Sequence, residues 1–151
     1  MTTKQIIAKY GQPGEQSLVT ITLPFPMRIA WDTKTKITKL RCHRLIADKL
    51  KAALSEILDL YGYEEIQKLG IDLFGGCYNY RKMRGGSDWS RHSWGIAIDL
   101  DPDRNQLKWG SNKAQFAKPE YKTMINVFYK HGFISYGVER NFDWMHFEIK
   151  D

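Results

Sequence analysis

The chain has 151 residues, of which 42% are hydrophobic and 26% charged, and its formal net charge is +6. This balance is typical of a globular protein and excludes a disordered chain. The positive charge favours contact with anionic polymers, but the basic residues are scattered and no nucleic-acid-binding motif is present. We therefore expect a single domain over residues 1–151 that does not bind nucleic acid.

The N-terminal residues contain neither a sustained apolar run nor a cleavage signal. No stretch of the chain approaches the roughly 20 apolar residues of a membrane span. We expect a monomer without a signal peptide or stable membrane insertion, located in the cytoplasm of the producing cell. Cys42 and Cys77 lack the close spacing of a metal-binding pair, so we expect buried free thiols.

The pattern of apolar residues predicts an α+β fold, beginning with a poorly structured N-terminal third. That third looks extended and loop-like, with a strand at 19–23. Apolar residues then recur at helical steps over 39–61, and Gly62 would end this helix. A short second helix is expected over 64–69.

The rest of the chain alternates between predicted strands and one further helix. A strand is expected over 71–80, with a bulge or bend at Gly75–Gly76. Two more strands are expected over 94–100 and 144–149, with a helix over 120–130 between them. We therefore predict a small antiparallel sheet packed with two or three helices.

Two histidines and two aspartates lie in or beside the last two predicted strands. His92 precedes one strand and Asp99 lies near its end, while Asp143 and His146 lie at the start of the other. Because alternate residues of a strand share a face, Asp99 and His146 would lie on faces opposite the apolar residues of their strands. A turn before the first strand could bring His92 over Asp99.

The residues alone leave two interpretations of this pattern open. A single histidine beside a tryptophan is usually a packing residue, and an aspartate at a strand end is usually a turn former. Together, however, two imidazoles and a carboxylate form the ligand set of a zinc site with an open position. The small residues Gly95 and Ala97 would leave room for the ion and its water, and a further carboxylate could accept that water's proton.

Two blocks of the sequence resemble the zinc D-Ala-D-Ala metallopeptidase family. They are Ser90-x-His92-x-x-Gly95-x-Ala97-x-Asp99 and Asp143-Trp144-x-His146-Phe147. The family contains D-alanyl-D-alanine carboxypeptidases and the L-alanyl-D-glutamate endopeptidases of phage endolysins. The resemblance runs from about 74 to 147 and implies the fold of the hedgehog and DD-peptidase group, with its sheet carrying the zinc site.

The resemblance also implies a role for each residue in these blocks. His92, Asp99 and His146 would bind Zn²⁺, and Asp143 would be the catalytic carboxylate. Arg81 would bind the substrate carbonyl or stabilise the oxyanion, and its alternative is a surface salt-bridge partner. Three residues are expected to contact substrate: Ser90 as the motif serine, Arg84 as a second arginine candidate, and Trp144 by its place on the site face.

These implications predict a zinc-dependent peptidase that cuts the stem peptide of bacterial peptidoglycan. Many relatives have Glu where this chain has Asp143, and Asp at this position resembles the endopeptidase branch of the family. The resemblance therefore favours an L-alanyl-D-glutamate endopeptidase that acts as a phage or prophage endolysin after release to the wall. Two alternatives are a D-alanyl-D-alanine carboxypeptidase of bacterial wall metabolism and a non-catalytic zinc-binding domain of the same fold. Asp143 and Arg81 argue against the last alternative, because a structural zinc site needs neither.

Overall fold

The computed structural model describes residues 1–83, 86 and 88–150, which form an α+β fold as the sequence predicts. The strands are β1 (Leu18–Ile29), β2 (Asp32–His43), β3 (Leu73–Gly76), β4 (Ala97–Leu100), β5 (Phe133–Ser135) and β6 (His146–Ile149). The α-helices are α1 (Thr3–Tyr10), α2 (Ala47–Tyr61), α3 (Tyr63–Leu69), α4 (Lys122–Lys130) and α5 (Tyr136–Arg140). These described helices outnumber the two or three that the sequence predicts.

The strands form one six-stranded sheet in the order β2-β1-β3-β4-β6-β5. The prediction of an antiparallel sheet is wrong in one pair, since β1 and β3 are parallel. The chain leaves the β1–β2 hairpin and passes through α2 and α3 before it returns as β3. A crossover of this kind, rather than a tight turn, is what joins parallel strands. The sheet is therefore mixed.

The N-terminal hairpin is the largest departure from the predicted elements. The predicted helix over 39–61 is wrong at its start, because α2 begins at Ala47 and residues 39–43 belong to β2. Leu40 and Cys42 are buried while Arg41 between them is exposed, which is the alternation of a strand. β1 is also longer than the predicted strand, and α1 is an additional helix that the apolar pattern does not predict.

The later elements follow the prediction more closely, although the strands are shorter than predicted. The helix predicted over 64–69 is confirmed as α3, and the one predicted over 120–130 is confirmed as α4 after a 3-10 turn at Pro119–Tyr121. The strand predicted over 94–100 is reduced to β4, because Arg91–Trp94 form a 3-10 turn. The remaining predicted strands shorten to β3 and β6, and the predicted bulge appears as a register shift between Phe74 and Gly76.

The core lies on one face of the sheet, and this arrangement leaves the other face to carry polar groups. α2 packs on β1, α4 packs on β5, and the two helices contact each other. Phe147 of β6 stacks on Phe128 of α4, with ring centroids 4.3 Å apart. Cys42 and Cys77 are buried free thiols, as predicted. Among the described residues, no helix is both long enough and apolar enough to span a membrane.

Candidate metal centre

The register of β4 and β6 brings Asp99 and His146 directly opposite each other. The two strands are antiparallel, and Asp99 pairs with His146 as Ala97 pairs with Glu148. Directly opposite residues of a sheet project from the same face. His146 Nδ1 lies 3.1 Å from Asp99 Oδ1, on the face away from Phe147 and the core. Two of the predicted ligands are therefore joined by the sheet itself.

The 3-10 turn at Arg91–Trp94 places His92 over the same carboxylate. Ser90 precedes this turn, and its Oγ accepts a hydrogen bond from the backbone N–H of His92 at 3.3 Å. The turn sets His92 Nε2 3.1 Å from Asp99 Oδ2. His92, Asp99 and His146 thus form a cluster whose ligand atoms all lie within 4.8 Å of one another and could hold a metal ion.

Gly95 has a different task from the one that the sequence suggests. Its φ is +69°, and a Cβ there would lie 2.8 Å from Leu18 and 3.0 Å from the backbone nitrogen of His43. The absence of a side chain therefore lets the 3-10 turn end and pack closely on the β1–β2 hairpin. The expectation that Gly95 makes room for the ion is wrong, because its neighbours belong to the hairpin rather than to the ligand cluster.

The nitrogen atoms of His92 show that this cluster suits a cation. Its Nδ1 lies 2.8 Å from the carbonyl oxygen of Cys77, which can only accept, so Nδ1 carries the proton. Nε2 then has a lone pair, and it is buried without a hydrogen-bond partner among the described residues. Its neighbour Asp99 Oδ2 is also an acceptor. Two buried acceptors that face each other are unfavourable unless a cation lies between them.

His146 completes the donor set in the same way. Its Nε2 lies 2.8 Å from Glu148 Oε1, so in the neutral imidazole a proton on Nε2 leaves the Nδ1 lone pair facing Asp99, whereas the protonated imidazolium donates to both carboxylates. Burial alone would lower the pKa of His146, but the hydrogen bonds with Asp99 and Glu148 outweigh it and raise this pKa to about 10. A proton and a metal ion would therefore compete for this imidazole. Two imidazoles and one carboxylate suit Zn²⁺.

The cluster opens into a cleft of ≈ 350 Å³ that also contains Asp143, Arg81 and Ser90. Asp143 has a left-handed backbone with φ of 54°, and its N–H donates to the carbonyl of Leu107 at 2.8 Å. Its own carbonyl accepts from the backbone N–H of His146 at 3.0 Å. Asp143 is thus fixed beside a candidate ligand without being part of the ligand cluster.

Arg81 is held at the cleft by the turn that carries His92. Its N–H donates to Ser93 Oγ at 3.0 Å, and Ser93 Oγ donates to its carbonyl at 2.7 Å. The carbonyl of Arg81 also accepts from the N–H of Ser90 at 3.0 Å. The structure therefore brings together six of the predicted site residues at one cleft: Arg81, Ser90, His92, Asp99, Asp143 and His146.

Trp144 lies apart from this cleft, contrary to the expectation that it faces the substrate. Its ring packs against Gly137, where a Cβ would clash with the indole, and its Nε1 donates to Asn141 Oδ1 at 3.3 Å. Trp144 belongs to the turn before β6, so the alternation of the strand does not extend to it. The other predicted contact, Arg84, lies outside the described residues.

Two further residues of the cleft contact His146, and the sequence predicts no role for them. Glu148 is buried and contacts His146, while Tyr136 of α5 packs its ring against the His146 imidazole at 4.4 Å between centroids. Strand alternation already puts Glu148 on the face of His146, which is a usable signal. Tyr136 arrives through α5, a five-residue helix that has no periodic pattern to reveal it.

Together these features form a candidate metal centre with an open cleft, of the kind that hydrolytic zinc enzymes use. A family described as D-alanyl-D-alanine carboxypeptidase matches residues 84–149, which include the three candidate ligands and Asp143. This match confirms, over that segment, the resemblance to the zinc D-Ala-D-Ala metallopeptidase family. It supports a carboxypeptidase-like peptidase and therefore a hydrolase. Searches of curated proteins and of solved structures find no match.

Proposed function

We propose that the protein is a zinc-dependent peptidase that hydrolyses the stem peptide of bacterial peptidoglycan. The observation that carries this proposal is the buried Nε2 of His92, which has no hydrogen-bond partner among the described residues and faces the Asp99 carboxylate at 3.1 Å beside His146. A structural ion would be satisfied by a closed ligand set, whereas this cluster opens into a cleft that contains Asp143 and Arg81. Those two residues also argue against a non-catalytic zinc domain.

His92 Nε2, His146 Nδ1 and the Asp99 carboxylate would hold the ion, and each other residue of the cleft would have a separate task. Zn²⁺ in such a site acidifies a water molecule and polarises a carbonyl group. Asp143 would accept the proton of the attacking water and deliver it to the leaving amine. The Arg81 guanidinium would offset the negative charge that develops on the carbonyl oxygen.

Within this class, we propose an L-alanyl-D-glutamate endopeptidase that acts as a phage or prophage endolysin. Support comes from Asp143, since many relatives have Glu at this position and Asp resembles the endopeptidase branch of the family. The net charge of +6 also suits an anionic cell wall. The enzyme would be a monomer that reaches the wall after release from the cytoplasm of the producing cell. A D-alanyl-D-alanine carboxypeptidase is the second candidate, favoured by the description of the matching family.

The test is to incubate the zinc-loaded protein with purified peptidoglycan and identify the new termini by mass spectrometry. New L-Ala carboxyl termini are expected, whereas released D-Ala would support the carboxypeptidase. Absence of product from walls of every stem-peptide type would overturn the proposal. The matched control is His146→Ala, which should lose bound zinc in metal analysis and form no product, since it removes one ligand.

A further inference from the structure

We propose that Glu148 and Tyr136 are positioning residues of the metal centre. Glu148 fixes the His146 imidazole so that Nδ1 faces Asp99, and Tyr136 fixes Glu148. The inference rests on the proposed function, because it assumes that His146 binds the metal. It adds two residues whose task is to orient a ligand rather than to touch the ion or the substrate.

The contact between Glu148 and His146 is short and protected from water. Glu148 Oε1 lies 2.8 Å from His146 Nε2, and both residues are buried. They are two positions apart on β6 and therefore share a face of the sheet. An imidazole has two nitrogens and two neutral tautomers, so a hydrogen bond at one nitrogen decides which lone pair is available at the other.

Two further side chains approach the Glu148 carboxylate, and a third packs on one of them. The hydroxyl of Tyr136 lies within interaction range of it, and the Tyr136 ring packs against the His146 imidazole. The Arg140 guanidinium lies over the Tyr136 ring, 4.0 Å from its centroid. Arg91 Nε approaches the second carboxylate oxygen, Oε2, at 3.9 Å. Glu148 is thus constrained from several sides and cannot turn away from His146 without leaving these partners.

Glu148 is not placed to be a fourth ligand. It contacts Nε2 of His146, whereas Asp99 contacts Nδ1, and the two ring nitrogens point in different directions. The group that could hold a metal ion contains His92, Asp99 and His146, without Glu148. Carboxylates that accept the second N–H of a ligating histidine raise its basicity and fix its orientation, and their loss weakens metal binding about 10- to 100-fold.

The test measures zinc affinity by competition with a chelator in the wild-type protein and in Glu148→Ala, Glu148→Gln and Tyr136→Phe. Glu148→Ala should weaken binding about 10- to 100-fold. Glu148→Gln should restore part of the loss, since its amide oxygen still accepts from Nε2–H, and Tyr136→Phe should weaken binding several-fold. Glu64→Ala, a change of an exposed carboxylate in α3, is the control and should leave the affinity unchanged.

A second measurement reports the protonation and coordination of the His146 imidazole directly. Nitrogen-15 NMR of the zinc-loaded protein should show His146 protonated at Nε2 and coordinated through Nδ1, and Glu148→Ala should lose or shift this signal. Zinc affinity within two-fold of wild type in Glu148→Ala, with unchanged His146 signals, would overturn the inference while leaving the peptidase intact. If Glu148→Ala does not fold, Glu148→Gln and Tyr136→Phe decide by the same criteria.

The two failures can be told apart. A wild-type protein that binds zinc and shows the expected variant effects, but cuts no peptidoglycan, refutes the proposed function and keeps the positioning role. A wild-type protein that binds no zinc refutes both proposals.

Discussion

The segment 84–149 and the segment 1–83 contribute to the candidate site in different ways. The first matches a peptidase family and contains the three candidate ligands and Asp143. The second contains the β1–β2 hairpin and α2, which build much of the core, and among its described residues it contributes Arg81 and Met83 to the cleft. The segment 84–149 therefore contains most of the candidate catalytic and ligand residues, and the segment 1–83 chiefly supports their positions.

The two segments are nevertheless joined at the turn that positions His92. Trp94 Nε1 donates to the carbonyl of Gly11 at 2.8 Å, and the N–H of Gly14 donates to the carbonyl of Ser93 at 2.8 Å. The N–H of His43 donates to the carbonyl of Gly95 at 2.9 Å. Most of these contacts use backbone groups, which any sequence supplies. Support of this kind therefore leaves little trace in the amino-acid sequence.

The largest expected effect tests the chemical role of the segment 84–149. Asp143→Asn should reduce peptidase turnover about 100- to 10,000-fold, the range for loss of a general base, while zinc content stays at the wild-type level. Asparagine is preferred to alanine because Asp143 has φ of 54°, which Asn tolerates well and Ala does not. Turnover and metal analysis are measured on the same preparation.

The control for this prediction is Asp103→Asn, which makes the same change of charge at an exposed residue. It should leave turnover unchanged. Wild-type turnover in zinc-loaded Asp143→Asn would show that another group moves the proton. The segment 84–149 would then no longer be shown to contain the proton-transfer group.

The next effect tests the supporting role of the segment 1–83. Arg28 forms a two-point ion pair with Asp72, with Nε–Oδ2 at 2.7 Å and Nη2–Oδ1 at 2.8 Å, and the Asp72 side chain is fully buried. Arg28→Ala would leave this carboxylate buried without its partner, so the free energy of unfolding should fall by about 3 kcal/mol. Denaturant unfolding at neutral pH measures it, and zinc affinity below the transition should not change.

Arg41→Ala is the matched control, since Arg41 lies in the same hairpin and pairs with Glu15 at 2.9 Å. Both side chains of that pair are at least half exposed, so its loss should cost well under ~1 kcal/mol. Equal destabilisation by the two changes would contradict the argument from burial. A loss of zinc affinity in Arg28→Ala would instead show that the two segments are coupled.

Local signals explain which parts of the fold could be predicted from the sequence. α3 and α4 follow from helical periodicity and from the glycines beyond their ends, Gly70 and Gly132. Leu40 continues the apolar spacing of α2, so the sequence predicts a helix over residues 39–43. Their true state depends on pairing with β1, which lies about 20 residues away in the chain. Non-local pairing of this kind has no local signature.

In the candidate site, too, some residues can be predicted from local sequence signals and others depend on contacts with distant segments. His92, Asp99, Asp143 and His146 could be singled out because their chemistry and spacing are unusual. The roles of Glu148 and Gly95 depend on what lies opposite them: Glu148 faces an imidazole, and Gly95 faces the hairpin. Contacts between distant segments decide such roles, so the residues that perform the chemistry are easier to predict than those that orient them.

The smallest effect concerns α1, which begins with a capping box in which Thr2 Oγ1 accepts from the N–H of Gln5 at 3.2 Å. Thr2→Ala should lower the free energy of unfolding by about 1 kcal/mol, and Thr3→Ala, which removes no cap, should have less effect. The neighbouring carbonyl of Met1 accepts from Arg91 Nη2 at 2.7 Å, next to His92. If α1 is purely supportive, zinc affinity stays constant in Thr2→Ala. A parallel loss of zinc affinity would mean that α1 affects zinc binding through its contact with Arg91.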